Sequence, residues 1–314
     1  MTELEIESTM HPLTKAMLTL LTALLGFTLI GPLIGFFFSI PFFEGNITEQ
    51  MTKLAAPESY PEFRLPLYIM QGCATFIGLA LLPALLSFII ERKGLIKFFT
   101  ENKIYGSMFG IVIFIVMSFV VVDSIFIQWN ANIHFPEFMN GFESWARNYE
   151  DKAESLTKYM TQFTSTGDFV IAFIVIAVLP GIGEELVFRG MLQTYLYKSS
   201  KNIHLAIWVS AFLFSAFHMQ FFGFVPRMLL GALFGYLYYW SGNLLVPAFA
   251  HFLNNGLSVT AIYLNQLGVI DVDMDSTDTV APWPAVIVCA IIGAALLYYF
   301  KNFFEQKKQL GNGR

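Results

Sequence analysis

The sequence predicts an all-α fold, a polytopic transmembrane helical bundle of about eight spans. Two observations predict it. Of 314 residues, 56% are hydrophobic and only 13% are charged, about half the charged share of a soluble domain; mean hydropathy is +0.60. The apolar residues also gather into runs of 18 or more with few charges, the length at which a helix crosses the hydrocarbon layer. An aromatic share of 17%, dominated by 34 Phe, suits lipid-facing surfaces and interfacial belts. A net charge of -5 argues against nucleic acid as a partner, since neutralising phosphates needs a basic surface. Cys73 and Cys289 both lie in apolar runs; they read as packing residues and give no metal-binding spacing.

The first span runs from Ala16 to about Phe43 and contains Gly31, Pro32 and Gly35, which membrane helices tolerate. The stretch Met1 to Lys15 is acidic, without the basic start of a signal peptide, and the apolar run after it is too long for a cleavable core. It is therefore read as a retained span. The second span is Leu65 to Ile90 and the third Ile104 to about Trp129. In the polar stretch Asn130 to Gly167, the part from Glu137 to Phe163 has helix-compatible spacing with mixed charges and aromatics. It is expected to be an amphipathic interfacial helix. The fourth span starts at Asp168 and reaches Tyr197. Thirty helical residues would extend roughly 45 Å, so a kink or break is expected near Pro180 to Gly183. The fifth span is Ile203 to Phe222, the sixth Phe224 to Trp240 and the seventh Asn243 to Leu264. A loop carrying Asp271, Asp273, Asp275 and Asp278 precedes the eighth, Pro284 to Phe300.

Loop charges support this count. Arg92, Lys93, Lys97 and Lys103, then Lys198 and Lys201, then Lys301, Lys307, Lys308 and Arg314 share one side if there are eight spans. The acidic loops Glu44 to Glu62 and Asp271 to Asp278 take the other. The positive-inside rule then places both termini in the cytoplasm of a multi-pass cell-membrane protein. The chain reads as one membrane domain, 1–314. Within it, 1–167 holds the first spans and the interfacial helix, 168–265 the polar centre, and 266–314 the acidic loop, last span and basic tail.

Ionisable groups at membrane depth are costly and call for an explanation. His11, His134 and His204 fall at boundaries or loops and read as solvated. His218 and His251 lie well inside apolar spans. Glu185 and Arg189 are four residues apart with the acid first, the favoured orientation for an ion pair on one helix face. That pair reads as a buried bridge between helices. Glu184 is rotated about 100° away and has no local partner. It reads either as a carboxyl kept neutral by burial or as a general base facing water. Phe214 and His218 share a face, as do His251 and Asn255, whose N–H groups suit either an oxyanion hole or a helix contact. Asp123 reads as solvated near the outer end of the third span. Arg227, at the start of the sixth, reads as snorkelling. Gly231 and Gly235 read as a close-packing face.

Three motifs, in order on successive helices, resemble the CPBP family of intramembrane proteases, related to CAAX prenyl endopeptidases and to bacteriocin-processing or immunity proteins. They are Glu184, Glu185, Leu186, Val187, Phe188, Arg189 (EExxxR); Phe214 to His218 (FxxxH); and His251 to Asn255 (HxxxN). The resemblance covers roughly Pro180 to Gly256, which makes 168–265 the expected catalytic core. It implies an endopeptidase acting on a peptide or membrane-tethered protein within the bilayer. In it, Glu184 and His218 would activate water, His251 and Asn255 would stabilise the oxyanion, and Glu185 would pair with Arg189. Glu184, His218 and His251 also offer a ligand set for zinc, and the family is commonly labelled metalloprotease. The His-Glu-x-x-His pattern of zincins is missing, so metal-free chemistry is slightly favoured and zinc stays open. Helix depths suggest a site opening to the cytoplasm or laterally to lipid. The competing readings are a non-catalytic binding or self-immunity protein of the same fold and, less favoured, a proton-coupled transporter. A transporter is disfavoured because the single polar centre is confined to the second half of the chain.

Overall fold

The computed structural model describes residues 10–43, 45–100, 103, 105–271 and 280–312, and every regular element among them is helical. Asp273, Asp275 and Asp278 of the acidic loop, the start of the N-terminal acidic stretch, and Ile104, the expected start of the third span, lie outside the described residues. Among the described residues, six helices are long and apolar enough to cross a membrane: α1 (Pro12–Phe42), α3 (Pro61–Glu91), α5 (Ser107–Ala131), α7 (Thr166–Ser200), α10 (Leu245–Gln266) and α11 (Trp283–Asn312). Two more, α8 (Ile203–Phe217) and α9 (Phe224–Ser241), supply the fifth and sixth of the expected segments. The protein is an integral membrane helical bundle.

The polar connections are more structured than the sequence suggested. A short helix, α2 (Ile47–Ala55), occupies the acidic loop, started by a reciprocal capping box between Asn46 and Glu49. Another, α4 (Leu95–Thr100), lies within the basic loop. A helix stands where the interfacial one was expected, α6 (Asn140–Met160), entered through a 3-10 turn at Glu137–Met139. It is tied down at its far end, where the Tyr68 hydroxyl donates to the Met160 carbonyl and the Tyr159 hydroxyl to the Tyr60 carbonyl at 2.7 Å.

Proline explains where three of the long helices widen. Helical π turns span Gly26–Ile30, Phe76–Leu81 and Ile174–Val178, and each ends two residues before a proline: Pro32, Pro83 or Pro180. Proline has no N–H to give to the carbonyl four residues back, and its ring crowds that carbonyl. A wider i→i+5 turn relieves the crowding without ending the helix. Of the kink or break expected near Pro180 to Gly183, a break is not found: the helix continues as Leu179–Glu185, directly after the π turn Ile174–Val178.

α1 and α3 meet through small residues. A Cβ on Gly26 would lie 2.7 Å from the Gly78 Cα, and one on Gly31 2.6 Å from the Ala74 Cα, so the backbones touch as in other small-residue membrane contacts. The central stretch of α7, Leu186 to Gln193, is buried at every position and packs against α1, α3, α8 and α9. Asp123, expected to be solvated, is buried, and its Oδ1 lacks a partner.

The loop before α6 is held by one carboxylate. Glu143 accepts from the Phe135 N–H at 2.8 Å, from Arg147 Nε at 2.9 Å and Nη2 at 2.8 Å, and contacts His134 Nδ1 at 3.0 Å. The Phe135 bond first, then Arg147, hold its carboxyl well below its usual 4.5, at about 2. A depressed carboxyl stabilises the folded form above the unfolded value and loses that contribution as pH falls through the folded one. The protection of the Phe135 amide against hydrogen exchange, taken relative to its intrinsic rate at each pH, should therefore fall between pH 4.5 and about 2, and Glu143→Gln should lower it at neutral pH as well. Equal protection in both proteins at pH 6 would contradict this.

Candidate active site

Four helices bring the expected residues together. α7 carries Glu184 and Glu185 at the end of an α-helical stretch and Arg189 in the following π-helical one, Leu186–Gln193. This π segment has no proline after it, and its widened backbone frees carbonyls for other donors. Ser210 of α8 donates to the Phe188 carbonyl at 2.7 Å and Thr194 to that of Arg189 at 3.2 Å. Glycines on α9 let this segment approach. Arg189 Nη2 donates to the Gly231 carbonyl at 2.9 Å and Gln193 Nε2 to that of Gly235 at 3.1 Å.

At the centre, Glu185 Oε1 accepts from Arg189 Nη1 and from His251 Nδ1, both at 2.8 Å. Glu185 is 0% and Arg189 1% exposed. The pair expected from sequence is thus a triad, with the acid orienting an imidazole as well as the guanidinium. Phe214 and Phe234 flank Arg189, their ring centroids 4.5 and 5.4 Å from its guanidinium. Phe234 also stacks on His251 at 5.2 Å.

His218 follows the last residue of α8 and donates from Nδ1 to the Phe214 carbonyl at 2.9 Å. Phe214 therefore fixes this ring through its backbone as well as by an edge contact at 5.1 Å. With both Nδ1 atoms engaged, each neutral imidazole presents the lone pair of Nε2. Both face the same atom: Glu184 Oε2 lies 3.9 Å from His218 Nε2 and 3.9 Å from His251 Nε2. That oxygen is buried and has no hydrogen-bond partner. Three acceptors thus converge across gaps too wide for direct hydrogen bonds and of a size for one water.

Zinc does not fit this spacing. With bonds of about 2.0 to 2.2 Å, two ligands on a tetrahedral zinc lie roughly 3.3 Å apart. Among the described residues, no group of three or more His, Cys, Asp or Glu is arranged to hold a metal ion. Glu184, His218 and His251 meet at one point, around Glu184 Oε2.

Asn255 sits one turn beyond His251, and its Nδ2 donates to the Ile176 carbonyl at 3.0 Å. Ile176 is four residues before Pro180, so its carbonyl is the one that proline leaves without a helical donor. Asn255 thereby joins α10 to α7 at the π turn, and one amide hydrogen stays free. Asn255→Ala should cost about 1–3 kcal/mol, the range for stranding a buried polar group. Restoring a backbone donor with Pro180→Ala should shrink that cost. A thermal-unfolding double-mutant cycle with no coupling would refute the pairing.

Several residues around the site were not singled out from sequence. The turn after His218, in which Met219 takes φ 58°, ends α8 at Phe217 rather than at the expected Phe222. Asn130 of α5 clamps this turn, donating to the Phe221 carbonyl at 3.0 Å and accepting from the Val225 N–H at 2.7 Å. Glu150 of α6 accepts from the Phe222 N–H at 3.0 Å, and Arg147 stacks on the Phe222 ring at 3.9 Å. Arg227, expected to snorkel, instead turns inward: Nη2 donates to Gln220 at 2.6 Å, while Nη1 is buried without a partner. One signal was readable. Arg227, Gly231 and Gly235 recur every four residues, which puts the arginine on the face that packs against α7.

Comparison with known proteins points to the same segment. Residues 166–257 match the model of the Rce1-like family, described as type II CAAX prenyl endopeptidase Rce1-like. Over 109 residues the chain is 30% identical to a protein of Bacillus subtilis (strain 168) described as uncharacterized protein YpbD. That alignment spans 33% of this chain and 50% of the relative, so the chain covers about half the length of the curated protein it matches. No solved structure matches. The matched stretch contains Glu184, Glu185, Arg189, His218, His251 and Asn255, and across residues 166–257 the chain is similar to the Rce1-like family.

Proposed function

We propose that the protein is an intramembrane endopeptidase that hydrolyses a peptide bond of a membrane-associated protein or peptide. The observation that carries this reading is the convergence of two imidazole Nε2 atoms on Glu184 Oε2, each at 3.9 Å. A water in that gap donates to Glu184 and to one imidazole. Its two hydrogens cannot serve three acceptors; a proton on the other imidazole satisfies the third and makes that ring a donor. His251, held by Glu185, is suited to that part, with His218 positioning the water.

The water oxygen then attacks the scissile carbonyl carbon while its proton passes to Glu184. The carbonyl π electrons move to oxygen, where His251 and the free Asn255 amide hydrogen donate to the resulting oxyanion. On collapse the C–N bond breaks, and Glu184 returns the proton to the leaving amine. The Glu184 side chain keeps 13% exposure and that of His218 29%, a route for water into the site. The family description suggests prenylated CAAX chains as one substrate class.

The test is a pool of quenched-fluorescent peptides, with and without an S-farnesyl cysteine, presented to the purified protein in liposomes. Cleavage is expected, and it should survive a metal chelator. Cleavage lost on chelation and regained with added zinc would restore the metal reading. No cleavage of any peptide would favour a non-catalytic binding role.

A further inference from the structure

We propose that Arg227 is a further catalytic residue, a fixed positive donor to the oxyanion in the peptidase reaction set out above, on which this inference rests. The placement follows from helix register. α7 and α9 run in parallel, with Gln193 on the Gly235 carbonyl and, one turn earlier on both helices, Arg189 on the Gly231 carbonyl. One more turn back on each reaches Glu185 on α7 and Arg227 on α9. Arg227 is also bonded at 2.6 Å to Gln220, two residues past His218. Its charge acts on both Glu184 and His218.

The remaining donors leave room for such a part. Glu185 holds the Nδ1 hydrogen of His251, the Phe214 carbonyl holds that of His218, and Ile176 takes one amide hydrogen of Asn255. Arg227 Nη1 carries hydrogens, is buried, and meets no acceptor. A buried guanidinium hydrogen without an acceptor is costly at rest and gains a partner when negative charge develops beside it. That difference between ground state and transition state is what accelerates a chemical step. Glu150, the other carboxylate whose charge acts on Arg227, already accepts from the Phe222 N–H at 3.0 Å.

The experiment uses the full chain in liposomes and the best peptide found in the pool. Arg227→Gln should lower kcat about 100-fold, the scale for losing an oxyanion donor, with KM within about twofold. Binding of a peptide aldehyde, whose hydrate imitates the tetrahedral centre, should weaken by the same factor. Arg227→Lys should recover part of kcat, and guanidinium ion should partly rescue Arg227→Ala. A raised KM with unchanged kcat would overturn the inference and make Arg227 a reader of an anionic group on the substrate. Equal loss of kcat and of thermal stability, without rescue by either Lys or guanidinium, would overturn it in favour of a structural role. Wild-type protein that cleaves no peptide would remove the peptidase reading and this inference with it. Cleavage unaffected by Arg227→Gln would remove this inference alone.

Discussion

Glu184→Gln is expected to lower peptide hydrolysis by at least about 10²–10⁴-fold, the contribution of a positioned general base, while leaving the bundle folded. The amide keeps the shape of the side chain but cannot take the water's proton. Glu184 Oε2 has no hydrogen-bond partner, so the substitution breaks no bond at that oxygen and should leave the unfolding temperature nearly unchanged. Activity and unfolding are read on the same liposome preparation. Retained cleavage would mean that another group accepts the proton, and the 3.9 Å convergence would lose its meaning.

Arg189→Met is expected to cost roughly 3–5 kcal/mol of stability, the penalty for stranding one member of a buried pair. Glu185 is 0% exposed, and its Oε1 would keep only His251 as a partner. The loss should also reach activity, because the same carboxylate orients His251. The double substitution Glu185→Gln with Arg189→Met removes both charges and should regain much of the stability but not the activity, since His251 loses its anionic anchor. Unfolding in graded denaturing detergent, followed by helix content, measures both. An Arg189→Met protein as stable as wild type would show that the pair contributes nothing net. Full activity in the double variant would show that Glu185 does not hold the imidazole.

What the sequence made legible follows from what is local. Glu185 and Arg189 are four apart on one helix, and a 3.6-residue period alone brings them together. The apolar runs anticipated a helix at each of the eight expected segments, six of which are long and apolar enough to cross a membrane among the described residues, and the mixed-charge stretch from Glu137 anticipated α6. His251 joining Glu185 was not legible, because it depends on α10 packing against α7 through Gly181, where a Cβ would lie 3.1 Å from the Ala248 carbonyl. The clamp on the turn after His218 combines Asn130, Glu150 and Ser215, whose hydroxyl donates to the Phe224 carbonyl at 2.7 Å. Asn130 and Glu150 lie more than 70 residues before the turn they hold. Arg227 was misread because an arginine at the start of a span ordinarily reaches for the interface. Only the shared face with Gly231 and Gly235 spoke for its turning inward. The π turns had a cue after all, a proline two residues beyond each of three; the fourth, at Leu186–Gln193, has none and depends on side-chain donors from neighbouring helices.

The most direct measurement is an electron cryomicroscopy or crystal structure of the protein in lipid, at a resolution that shows ordered water. Glu184 should face the Nε2 atoms of both His218 and His251 at about 4 Å, with one water among the three. Imidazoles turned toward lipid, or separated from Glu184 by a helix, would leave the proposed hydrolase without a site.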